Sequence, residues 1–149
     1  MPTRRSLAFA DLGAVLADLD RLAAGHATVG RWSLAQICDH LTRAIRGTLI
    51  RPPAGPTPDP TPEQDALRAA FFRDPTIPTE IPLPSEALAP HPAADLATAT
   101  AALRDAIDRL RAHPGPLRPH PILGPLTVDE WRAFHANHAA HHLGFAVPA

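Results

Sequence analysis

Apolar residues recur at spacings of three and four through most of the chain, and a helix is the element that turns this spacing into one continuous face. From Asp11 to Ala24, a stripe is formed by Leu12, Val15, Leu16, Leu19, Leu22 and Ala23. Gly25 and His26 begin a turn expected to extend through Gly30. Trp32 precedes a second helix whose start is marked by Ser33 and Gln36, a pair able to satisfy two free backbone N–H groups reciprocally as a capping box. This helix, LAQICDHLTRAIRGTLI, has to stop before Pro52. Its apolar face is Leu34, Ile37, Leu41, Ala44, Ile45 and Leu49, with His40 beside the stripe. A further helix is predicted from about Ala93 to His113, on Leu96, Ala99, Leu103, Ile107 and Leu110. Thr100 sits at its edge, where the hydroxyl can bond back to the helix backbone, and Arg104, Asp105, Asp108 and Arg109 form a solvated outer face. Thr127 and Glu130 are another capping box, opening a last helix predicted from about Val128 to about Phe145.

Between the second helix and the one from Ala93, prolines dominate. Residues 51–61 hold five of them and form a stiff, partly polyproline-like connector. Thr61-Pro62-Glu63-Gln64 then opens a short helix, to about Arg73, that carries Leu67, Ala70, Phe71 and Phe72. A second proline-rich connector runs from Pro75 to Pro92. Connectors this long span between helices that are not neighbours, and long loops in compact domains also line sites. The pattern contains no segment of strand period. It predicts an all-α, four-helix bundle with a short extra helix and proline-rich connectors, as a single domain over residues 1–149.

Charge and composition narrow the function. A net charge of −1 leaves no basic surplus to displace counterions, which argues against nucleic acid as a partner. No apolar run is long enough to cross a bilayer, so no membrane is expected. The single cysteine, Cys38, excludes an intrachain disulfide and fits a reducing compartment; on its helix it reads as a small core residue. Thr3-Arg4-Arg5-Ser6-Leu7 has a faint likeness to a twin-arginine export signal, but Asp11, Asp18 and Asp20 fall where that signal is apolar. The expected location is therefore cytoplasmic. Arg43, Arg46 and Arg51 read as a solvated face, and Asp39 and Asp129 as helix-surface charge.

The candidate chemistry is histidine. Of nine histidines, His135, His138, His141 and His142 fall within eight residues on the last helix. Residues four apart on a helix have Cβ atoms roughly 5–6 Å apart, close enough for two imidazoles to share a metal ion at roughly 2 Å. His138 and His142 have that spacing. Outside the last helix, His40 is the one histidine within a main helix, whereas His113 sits at a helix end and His26, His91 and His120 lie in loops. His40, His138 and His142 thus make the best three-nitrogen set, with a coordination position left for water or substrate. A structural role in the core is open for the same residues. Periodicity also leaves open which of His141 and His142 faces inward, since Trp131, His135, His138, His142 and Phe145 make one stripe and Phe134, His138, His141 and Phe145 another. Gln36, Trp131, His135 and His141 are candidate neighbours or walls of the site, and Trp32 is a packing anchor that can also serve as a wall.

Two segments, RWSLAQICDHL and HPILGPLTVDEWRAFHANHAAHHLGF, resemble the signature regions of the DinB/YfiT-like superfamily. They are similar to an uncharacterised branch of it with a W-s-l-x-Q-i-x-x-H second helix and an H-x-x-H-H final helix. The resemblance implies a four-helix bundle, often paired as a homodimer, with a metal triad at the positions of His40, His138 and His142. It departs at Phe145, where the family usually carries glutamine. It implies a divalent metal ion (zinc, nickel or iron) and, with it, transferases and isomerases that use a low-molecular-weight thiol with a small-molecule substrate. The alternative is a non-catalytic metal- or small-ligand-binding bundle, or a purely structural one.

Overall fold

The computed structural model describes residues 2–52, 54–75, 88–92 and 94–149. Five helices are present: α1 (Leu12–Ala24), α2 (Leu34–Leu49), α3 (Pro62–Arg73), α4 (Leu96–Ala112) and α5 (Val128–Leu143). Two short strands, β1 (His26–Thr28) and β2 (Ala146–Pro148), pair antiparallel with Ala27 opposite Val147. Most of the second proline-rich connector, residues 76–87, and the expected helix start at Ala93 lie outside the described residues.

The helix starts follow from local chemistry. Ser33–Gln36, Thr61–Gln64 and Thr127–Glu130 all form complete capping boxes. α4 begins at Leu96 because the Asp95 carboxylate accepts from the Thr98 backbone N–H at 2.9 Å. Thr100 makes the expected bond back to the Leu96 carbonyl at 2.9 Å. The last helix stops at Leu143, two residues before the expected end at Phe145. There the carbonyls leave the helical register for other partners, Gly144 accepting from the Arg5 N–H at 2.8 Å and Phe145 from the Val29 N–H at 2.9 Å. The turn expected over 25–30 is β1, whose partner lies at the opposite end of the chain. Three residues cannot display a strand period, so the sequence pattern had no purchase on it.

α2 packs most closely on α4, and α4 and α5 each also touch α1. α5 closes against α2. The core is built from the stripes: Leu12, Val15, Leu19 and Leu22 of α1, Leu34, Ile37, Leu41 and Ile45 of α2, Ala99, Leu103, Ile107 and Leu110 of α4. α3 buries no residue, and rests on the core through half-buried Phe71 and Phe72. Arg104, expected on a solvated face, forms an ion pair with Asp20 of α1. Among the described residues no helix is long and apolar enough to cross a membrane.

A polar clamp joins the ends of the chain. Asp18 lies on the buried face of α1 and takes two hydrogen bonds of 2.8 Å from the Arg5 guanidinium. Arg5 also donates to the Ala146 carbonyl at 2.7 Å and to the Leu143 carbonyl at 3.1 Å. Gly144 allows the approach, for a Cβ there would stand 2.6 Å from the Arg5 carbonyl oxygen. A second buried contact links α2 to α5, where Thr48 Oγ1 is 2.8 Å from His135 Nε2. The Thr48 hydroxyl donates to the Ala44 carbonyl, so the imidazole is the donor to Thr48.

Removing one partner of a buried ion pair strands the other charge, so Arg5→Ala is expected to cost about 3 kcal/mol in urea unfolding. Arg5→Ala combined with Asp18→Ala is expected to cost clearly less than the sum of the two single changes; strict additivity would show that the pair is not coupled. His135 gives a pH prediction. Its burial pushes its pKa down from 6.5 to about 3. Between those values the unfolded chain binds a proton that the folded chain refuses, so this contribution is complete above about pH 6.5 and is lost as pH falls toward 3. His135→Gln, which can still reach Thr48, is expected to flatten the fall of unfolding free energy with acid in that window.

Candidate metal centre

His40 projects from α2 on the same buried side as Ile37 and Leu41, and its residue is 2% exposed. His138 and His142 project from α5 one turn apart, with ring centroids 4.7 Å from each other and 5.0 Å and 4.5 Å from His40. The rings meet through their outer nitrogens. His138 Nε2 lies 3.2 Å from His40 Nε2 and 3.1 Å from His142 Nε2. One ligating atom from each residue falls within 4.8 Å of the others, and among the described residues this is the group with the spacing to hold a metal ion.

The proton inventory of the three rings is informative. His40 Nδ1 is 2.6 Å from the Leu88 carbonyl. A carbonyl only accepts, so Nδ1 carries the proton and Nε2 of a neutral ring presents its lone pair. Burial is the leading cause that lowers the pKa of His40, of His142 (to about 3) and, most strongly, of His138. Mutual repulsion among the imidazoles acts in the same direction on His138 and His142. The rings are therefore neutral near pH 7. With one proton each, they cannot make hydrogen bonds of both Nε2 contacts. A proton on His138 Nε2 can serve His40 but then leaves no lone pair for His142. Without that proton, two lone pairs face each other at the His40 contact, and the proton on His138 Nδ1 is left without an acceptor. His138 Nδ1 is in fact buried with no hydrogen-bond partner. A cation among the three nitrogens takes up the facing Nε2 lone pairs and removes the mismatch at those two contacts, with the His138 proton then on Nδ1. Nitrogens about 2.0–2.1 Å from a tetrahedral ion lie roughly 3.3 Å from one another, close to the two observed separations.

The surroundings come from several parts of the chain. Trp32, just before the Ser33 cap, stacks on His142 at 5.5 Å and 19° and leans on His40 at 5.0 Å. Leu88 arrives from the second proline-rich connector, so at least its end lines the site. Cys38, two residues from His40, is fully buried in the core, where desolvation pushes its thiol up to about 12.

The candidate neighbours are dispersed. His141 lies beside His142, ring centroids 4.7 Å apart, and faces Arg4 and Phe145. Gln36 closes its capping box and reaches the Pro92 carbonyl at 3.5 Å. Trp131 donates from Nε1 to the Arg118 carbonyl at 2.9 Å and stacks on His135, two turns from His138. His135 bonds Thr48, as described above. Asp39 pairs with Arg43 and accepts from the His91 N–H, and Asp129 pairs with Arg132. Sequence reasoning missed Arg4, whose place beside the last turn of α5 had no signal beyond the Arg-Arg pair.

No curated protein and no solved structure matches the chain. A family model described as a protein of unknown function, DUF1569, matches residues 1–149, and the chain therefore belongs to that family.

Proposed function

We propose that this protein binds one divalent transition-metal ion through Nε2 of His40, His138 and His142. The observation that carries the reading is the meeting of three neutral imidazoles through Nε2 atoms whose protons cannot satisfy one another. The Leu88 carbonyl supports it from behind, because a hydrogen bond on the far nitrogen fixes a ligating ring and raises its basicity. Nitrogen ligands suit zinc, nickel and iron alike. An ion held by three nitrogens keeps a position for a small molecule and supplies Lewis-acid chemistry there.

The finer reading rests on the resemblance to the DinB/YfiT-like superfamily. It makes the protein a DinB-like four-helix bundle whose metal site activates a low-molecular-weight thiol for transfer to a small electrophile. The packing of α1 and α2 against both α4 and α5 supports that bundle. In this reaction the chain would hold the thiol beside Trp32 and keep its three histidines neutral at working pH. Phe145 favours a second reading, a non-catalytic metal or ligand binder, because it replaces the glutamine usual in that superfamily.

Protein purified without a histidine tag is expected to carry close to one metal ion per chain by mass spectrometry, and a His138→Ala, His142→Ala variant almost none. A folded parent that takes up no zinc, nickel or iron on reconstitution, or a His40→Ala variant that binds as much as the parent, would refute the site. A ligand present at one hundred times its Kd stabilises by about 2.7 kcal/mol. In a domain of this size, chelation is accordingly expected to lower Tm by about 5–10 °C. Turnover with a panel of thiols and electrophiles supports the transferase, whereas saturable thiol binding without product supports the binder.

A further inference from the structure

Arg4 and Arg5 are adjacent and lie against the same end of α5, yet they are treated differently. Arg5 engages all three of its side-chain nitrogens, two of them on Asp18. Arg4 uses only Nη2, at 3.0 Å from the His141 carbonyl and 3.3 Å from His141 Nδ1. Its Nε is buried and has no partner. Among the described residues no carboxylate pairs with Arg4. Its guanidinium lies over the Phe145 ring, 4.8 Å from the centroid, so a planar cation is held on an apolar shelf.

The α5 carbonyl accounts for part of this placement, since a cation is favoured at a helix C-terminus. It does not account for an arginine that is always charged, half-buried and short of an anion, because such a group is normally paired where water is excluded. Arg4 touches His141, whose ring lies 4.7 Å from that of His142, a member of the three-histidine group.

We propose that Arg4 is the anion-binding arm of the three-histidine site, taking the carboxylate of a small ligand whose other end reaches the His40, His138 and His142 nitrogens. The inference rests on the metal-site reading and deepens it by giving the ligand a charge. Phe145 is then the shelf that aims Arg4. The ligand class is a carboxylate-bearing small molecule with a soft or nitrogenous donor a few atoms away. Arg4 is a binding residue here and takes no part in bond making.

The test uses 3-mercaptopropionate and its neutral isostere 3-mercaptopropanamide, titrated calorimetrically into the zinc-loaded parent and into Arg4→Gln, with the zinc content of each sample measured. A hydrogen-bonded charge pair removed from a partly buried site corresponds to about 10- to 100-fold in affinity. The acid is therefore expected to bind the parent at least about tenfold more tightly than the amide, with Arg4→Gln losing that preference at unchanged zinc content. Equal binding of acid and amide by the parent, or a preference that survives Arg4→Gln, overturns the proposal and leaves the metal reading standing. A parent that takes up no zinc overturns the metal reading instead. The same pair of probes then decides on Arg4 in the metal-free chain, where an acid preference lost in Arg4→Gln supports the anion site and no preference overturns it. If Arg4→Gln does not fold, Arg4→Met replaces it, since its apolar stem keeps the packing on Phe145.

Discussion

The clamp made by Arg5 is the interaction on which the rest of the structure depends. A carboxylate on the buried stripe of α1 would be costly without a counter-charge, and the counter-charge comes from a residue before the first helix. The same guanidinium takes the Leu143 and Ala146 carbonyls, one at the end of α5 and the other in β2. Through one planar group the N-terminal arm, the first helix and the end of the histidine-bearing helix are held together. Leu143 follows His142 directly, so the clamp also sets the height of the cluster's last imidazole relative to α1. The pairing of β1 with β2 fastens the same end a second time.

The three-histidine group runs against the economy of the rest of the core. Elsewhere among the described residues, Arg4 Nε apart, buried side-chain polar atoms find partners: Thr42 on the Cys38 carbonyl, His135 on Thr48, Trp131 on the Arg118 carbonyl. At the cluster, neutral rings are pressed together with mismatched protons, and one ring nitrogen is left without a partner. Folded chains keep such local conflicts at functional sites, because a fully satisfied core has no reason to retain them. Arg4, on the far side of His141 from His142, is a second conflict of opposite character: too few acceptors rather than too few protons. The two deficits lie on the same end of α5 and suit the two ends of one ligand.

Much of the helical layout was legible because its causes are local. The capping boxes at Ser33, Thr61 and Thr127 need only residues three apart, and all three form. The stripes of α1, α2 and α4 need only a period. What escaped depends on distant chain. The end of α5 at Leu143 is set by N–H groups of Arg5 and Val29. The strands His26–Thr28 and Ala146–Pro148 exist only by pairing with each other.

The site divides in the same way. The sequence by itself determined that His138 and His142 share a face of one helix, and that His40 stands beside the apolar stripe of another, since both follow from 3.6 residues per turn. It left His141 and His142 as alternatives, because two stripes through α5 fit its apolar residues equally well. Only the tertiary structure decided between them. The packing of α5 against α1 and α2 turns His142 toward His40 and leaves His141 facing Arg4 and Phe145. The rotation of a helix about its axis is fixed by what it packs against, and the partners of α5 lie some hundred residues earlier in the chain.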